Sequence, residues 1–133
     1  MSKDKYETFI KDVIMRLEKL DYKYDSEKDD LILRYITDKV EQEIMNRINQ
    51  SEVPDELRFV LVERVCGEFL YSLRGSNILS DTQINAIVSS ISEGDTSVSY
   101  DVSSSPEAKF DLLITCLRSY GNDEILRFRR LVW

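Results

Sequence analysis

Three arginines, Arg127, Arg129 and Arg130, close the chain in the run LRFRRLVW, interleaved with Phe128 and followed by Trp133. Guanidinium groups donate in a rigid fork that matches carboxylates. Arginine and tryptophan are also the side chains most enriched among interface hot spots. The body they end is acidic, with a net charge of −7. This basic, aromatic end therefore either docks on an acidic partner or another copy, or closes the core with Phe128, Leu131 and Trp133 while its arginines stay solvated. A second polar feature is the stretch ISEGDTSVSYDVSSSPE at 91–107, where apolar and polar residues alternate around a Gly-Asp pair.

Other chemistry is thin. The chain has no histidine, so the commonest general base and metal ligand is missing. Cys66 and Cys116 lie within apolar helical patterns and read as two buried thiols rather than a redox pair. With four glycines there is no P-loop and no dinucleotide fingerprint. Asp21, Asp25, Asp29 and Asp30 cluster, yet they lack the glycine and the spaced terminal glutamate of a calcium loop. They read as a solvated loop entering a helix N-terminus, where acids are stabilised. No catalytic, cofactor-binding or metal-ligating set emerges, and the expectation is a protein that is not an enzyme.

Charge distribution narrows the partners. Residues 51–100 hold 8 acidic and 3 basic side chains, a surface that repels nucleic acid. No apolar run reaches the roughly 20 residues of a membrane span, and MSKDKYETF lacks the apolar region of a secretory signal.

The elements that must position these groups are mainly helical. Ser2 caps a first helix, to residue 20, with Phe9, Val13 and Leu17 on one face. A second runs from Ser26 to Asn49 with the stripe Leu33, Ile36, Val40, Ile44 and Ile48. Pro54 opens a third, apolar on two sides: Leu57, Val60, Leu61, Val65 and Phe69 on one, Phe59, Val62, Cys66, Leu70 and Leu73 on the other. It should be central, with Gly67 marking a close helix crossing. The period then changes to two. Ile87, Ser89 and Ile91 face Val98, Tyr100 and Val102 in a hairpin over 87–102, whose turn carries Glu93, Gly94, Asp95 and Ser97. Two strands alone are marginally stable, so the hairpin packs either on its own helices or on a neighbouring subunit. Ser105-Pro106 caps a fourth helix with Phe110, Leu113, Ile114 and Leu117 inward, and Asn122 caps a last one over 123–133. The expected fold is a small bundle of four to five helices with one inserted β-hairpin, in a single domain.

The order DDLILRYITDKVEQEIMNRIN, VPDELRFVLVERVCGEFLY, SISEGDTSVSYD and YGNDEILRFRRLVW resembles the head–tail connector (adaptor) proteins of tailed phages and of prophages of Gram-positive bacteria, over about residues 24–133. The resemblance implies a non-enzymatic ring protein, usually dodecameric, in the virion neck and in the bacterial cytoplasm during assembly. It would sit beneath the portal protein, extend the DNA channel and dock the next neck or tail-completion protein, with DNA only as passing cargo. Arg127, Phe128, Arg129, Arg130 and Trp133 would then contact the portal. The hairpin residues Glu93, Gly94, Asp95, Ser97 and Tyr100 would meet an adjacent subunit or the lumen. The rival expectation is a small acidic helical regulator that sequesters a basic partner.

Overall fold

The computed structural model describes residues 1–76, 78–94 and 105–131, with only the backbone described for 91–94. Among them are six α-helices: α1 (Lys3–Lys19), α2 (Ser26–Ile48), α3 (Arg58–Gly75), α4 (Asp81–Gly94), α5 (Pro106–Arg118) and α6 (Asn122–Arg127). A single 3₁₀ turn, Asp55–Leu57, leads into α3. The mainly helical bundle expected from the periodicity is thus present.

Helix α3 is its centre, packing against α1, α2 and α5. Both of its apolar stripes are buried except at Phe59, which lies in the first turn and is 75 % exposed. The side chains of α2 predicted to face inward, Leu33, Ile36, Val40, Ile44 and Ile48, are all buried, as are Phe110, Leu113, Ile114 and Leu117 of α5. Gly67 is where α3 and α5 touch: a Cβ there would lie 2.7 Å from the Leu117 Cβ and 2.9 Å from the Arg118 amide nitrogen.

Side-chain pairs fix the helix directions. Asp12 of α1 pairs with Arg58, Arg16 with Glu63 at 2.9 Å, and Tyr22 stacks edge-on against Phe69, so α1 and α3 run the same way. Along α5 the order reverses: Asp111 pairs with Arg74 at 2.8 Å and Arg118 with Glu68 at 2.7 Å. The turn after α5 then reaches the start of α3, where Gly121 lies against Val60.

Two sequence expectations are overturned. Residues 87–91, read as the first hairpin strand, lie in the second half of α4, as do Glu93 and Gly94, read as part of its turn. The apparent alternation spans three positions only, whereas Ile84, Ile87 and Val88 follow helical spacing and are all buried. Ser80 caps this helix. Its Oγ accepts from the Gln83 amide at 3.2 Å while Gln83 Oε1 accepts from the Ser80 amide at 3.4 Å, a reciprocal capping box. The second strand, with Val98, Tyr100 and Val102, lies outside the described residues.

The docking helix expected over 123–133 is the second correction: α6 ends at Arg127. Beyond it the chain turns aside because other hydrogen-bond partners are on offer. The Arg130 amide donates to the Ile48 carbonyl at 2.8 Å, which the end of α2 would otherwise leave open. Nor does Asn122 cap α6. Gly121, in the left-handed region at φ 76°, precedes it, and Asn122 is its first residue.

Candidate functional site

The arginine-rich end is held as an arm against the C-terminal end of α2. Asn49 Nδ2 donates to the Arg130 carbonyl at 2.8 Å, and Gln50 Nε2 donates to the Phe128 carbonyl. Asn49 can do so because it sits in the left-handed conformation that ends α2, at φ 54°. The Phe128 ring is half-buried and packs on the core.

The turn before α6 is clamped by two further arginines. Asn122 Oδ1 accepts from Arg47 Nη1 at 3.2 Å and from Arg64 Nη2, while Arg64 Nε donates to the Tyr120 carbonyl at 2.7 Å. Burial lowers the Arg64 pKa, and the neighbouring Arg47 charge lowers it further. Glu43 and Glu68 oppose the shift.

The three arm arginines are placed differently. Arg127, Arg129 and Arg130 are exposed, and their guanidinium groups form no ion pair or hydrogen bond among the described residues. They line a cavity of about 430 Å³ together with Phe128, Gln50, Pro54 and one acid, Glu52. A second groove of about 820 Å³ adjoins it, sharing Glu52 and Pro54, and is lined by Phe9, Met45, Val53 and Leu61 with charges of both signs, Asp4, Glu41 and Asp55 beside Lys5 and Arg58. The end of the bundle that carries the arm is therefore concave, with a basic pocket beside a groove of mixed charge.

The other predicted contact residues are elsewhere. The backbone of Glu93 and Gly94 forms the last turn of α4. Asp95, Ser97, Tyr100 and Trp133 lie outside the described residues. Since α5 starts beside Arg74 and ends beside the start of α3, its 13 residues separate the two regions. That places the start of α5 roughly 20 Å from the arm, at the opposite end of the bundle.

The acid cluster after α1 is structural. Asp29 is 1 % exposed, accepting from the Tyr22 hydroxyl at 2.9 Å and from the Asp25 amide at 3.0 Å. Asp25 caps α2 by accepting from the Glu27 amide, and Asp30 accepts from the Tyr24 hydroxyl. Burial, then the bonded carboxylate, raises the pKa of both tyrosines. Among the described residues no group of three histidine, cysteine or acidic side chains is arranged to hold a metal ion. Of the cysteines, Cys66 is buried, and burial pushes its thiol pKa up. Cys116 is half-buried rather than buried, and neither forms a disulfide.

Sequence reasoning missed the cavity partners Gln50, Glu52 and Pro54, which only the fold of the arm brings to the arginines. It also missed Leu31 and Tyr35, which are 84 % and 70 % exposed on α2. Their signal was available, because they fall four residues apart and off the buried stripe. No helix among the described residues is long and apolar enough to cross a membrane. No protein-family model, curated protein or solved structure matches the chain.

Proposed function

We propose that the protein is a structural adaptor of a phage or prophage neck, a ring subunit beneath the portal that extends the DNA channel and docks the next neck or tail-completion protein. The observation that carries this reading is the two-ended layout: an arginine arm at one end of the bundle and the start of α5 at the other. An adaptor must engage one neighbour at each end, whereas a regulator needs a single recognition surface. Lateral neighbours in the ring would cover Leu31, Tyr35 and Phe59, large apolar side chains that this subunit leaves exposed. In this reading the portal meets the arm through Arg127, Phe128, Arg129, Arg130 and Trp133. Glu93 and Gly94 at the end of α4, with Asp95, Ser97 and Tyr100 after them in sequence, would meet an adjacent subunit or the lumen.

Particle mass tests the proposal. The purified protein is measured alone and after mixing with the portal protein encoded beside it. A ring, or a portal-plus-ring particle, is the expected result. A monomer that ignores the portal at every concentration, yet binds a basic partner with steep salt dependence, would replace the adaptor by the acidic regulator.

A further inference from the structure

We propose that the arm cavity is a receptor for an acidic peptide segment of the docking partner, one carboxylate-bearing residue beside an apolar one. This deepens the docking reading and rests on it for the identity of the partner, but the chemistry of the pocket is argued from the cavity itself. Three arginines line it, with one acid, Glu52. None of the three is engaged among the described residues, so they remain available to a ligand. In this they differ from Arg47 and Arg64 nearby, which the fold uses to clamp Asn122.

The shape argues for a peptide rather than a flat surface. At about 430 Å³ the cavity would hold a few side chains, and Pro54 and Phe128 give it an apolar wall. A carboxylate can bond two guanidinium nitrogens at once while the adjoining apolar side chain covers Phe128. The scaffold is also set before binding. The backbone of 128–130 is tied to Ile48, Asn49 and Gln50, so little ordering cost remains. Duplex DNA fits less well: its charge extends far beyond the cavity, over a protein whose net charge is −7.

The test is NMR titration of the full ¹⁵N-labelled chain at low salt with an N-acetylated peptide of alternating glutamate and leucine. Shifts should concentrate on the Nε–H signals of Arg127, Arg129 and Arg130 and on the amides of Gln50, Glu52 and Phe128. A lysine–leucine peptide should produce none. Glu52→Gln should tighten binding about two- to threefold, by removing the one like charge in the pocket. The double substitution Arg129→Glu/Arg130→Glu should abolish the shifts while the amide spectrum stays dispersed.

Scattered shifts, or equal shifts with the lysine peptide, would overturn the proposal. Stronger shifts of the same residues with a short DNA duplex would make the pocket a phosphate site instead. Concentration-dependent shifts without any peptide would make the occupant a second copy. Mixing the double variant with portal protein separates the two readings. Peptide binding lost with portal docking intact leaves the pocket standing and removes the portal contact from the arm. Docking lost without any peptide binding in the parent protein keeps the docking and refutes the acidic-peptide chemistry.

Discussion

One methyl group, added at each of two glycines of α3, should move stability in opposite directions. Both Gly67 and Gly75 are helical, so alanine at either gains up to about 1 kcal/mol of helix propensity. At Gly75 the new Cβ meets nothing within 4 Å. As the last residue of the helix it should realise only part of that gain, a stabilisation of about 0.5 kcal/mol. At Gly67 the same atom would lie 2.7 Å from the Leu117 Cβ and 2.9 Å from the Arg118 nitrogen, closer than real Cβ contacts come. One of those atoms is backbone, so rotating a side chain gives no relief and α5 must move off α3. Overpacking of this kind costs about 1–3 kcal/mol before the propensity gain is subtracted, and lost burial of Phe110 and Leu113 adds to it. The expected net loss for Gly67→Ala is about 1–2 kcal/mol, read as a lower midpoint in urea unfolding at unchanged slope. Gly67→Leu should prevent α5 from docking altogether. If Gly67→Ala matched Gly75→Ala in sign, the helix crossing deduced here would be wrong and α5 would pack elsewhere.

Three further outcomes follow from individual contacts. Ser80→Ala removes the capping box of α4 and should cost about 1 kcal/mol, with faster amide exchange confined to the first turn of that helix. Burial, then the hydrogen bond to Asp29, raises the Tyr22 pKa above its usual 10.0. Below that value the folded and unfolded forms both hold the proton, and stability is intact. Above it the unfolded chain releases the proton first, so stability falls as pH rises. Melting temperature measured between pH 9 and about pH 11.5 should therefore drop less steeply in Tyr22→Phe than in the parent protein. Of the two free thiols, half-buried Cys116 should react with a disulfide reagent in the native protein, while buried Cys66 should react only after denaturant is added. Rapid labelling of both without denaturant would contradict the packing of α1 on α3.

Where a periodic pattern was long, it was legible. The stripes of α2 and α5, the two-sided burial of α3 and the crossing at Gly67 all follow from residue spacing, because burial acts on many positions at once. The failures lie where the signal is short. Three alternating residues at 87–91 resembled a strand, while the capping box Ser80–Gln83 just upstream specified a helix and went unread. At the C-terminus, helix-forming residues run past Arg127, and local propensity cannot report that Ile48, Asn49 and Gln50 wait across the molecule with unused donors and acceptors. The arginines were recognisable as a basic end, but the pocket they line was not. Its other walls come from 50–54, far away in sequence.

The way the arm is tied down also explains how it can serve both folding and binding. Its anchors are the backbone of 128–130 and the ring of Phe128, whereas its charges are carried by exposed side chains that hold nothing among the described residues. Structure and recognition therefore use different atoms of the same short segment. Substituting the arginines changes what the arm attracts while leaving the end of α2 satisfied. Deleting the arm after Arg127 would strip the Ile48 carbonyl of its donor and uncover core that Phe128 shields. A truncated protein that failed to dock would confound lost contacts with lost structure, so charge reversal is the perturbation that separates them.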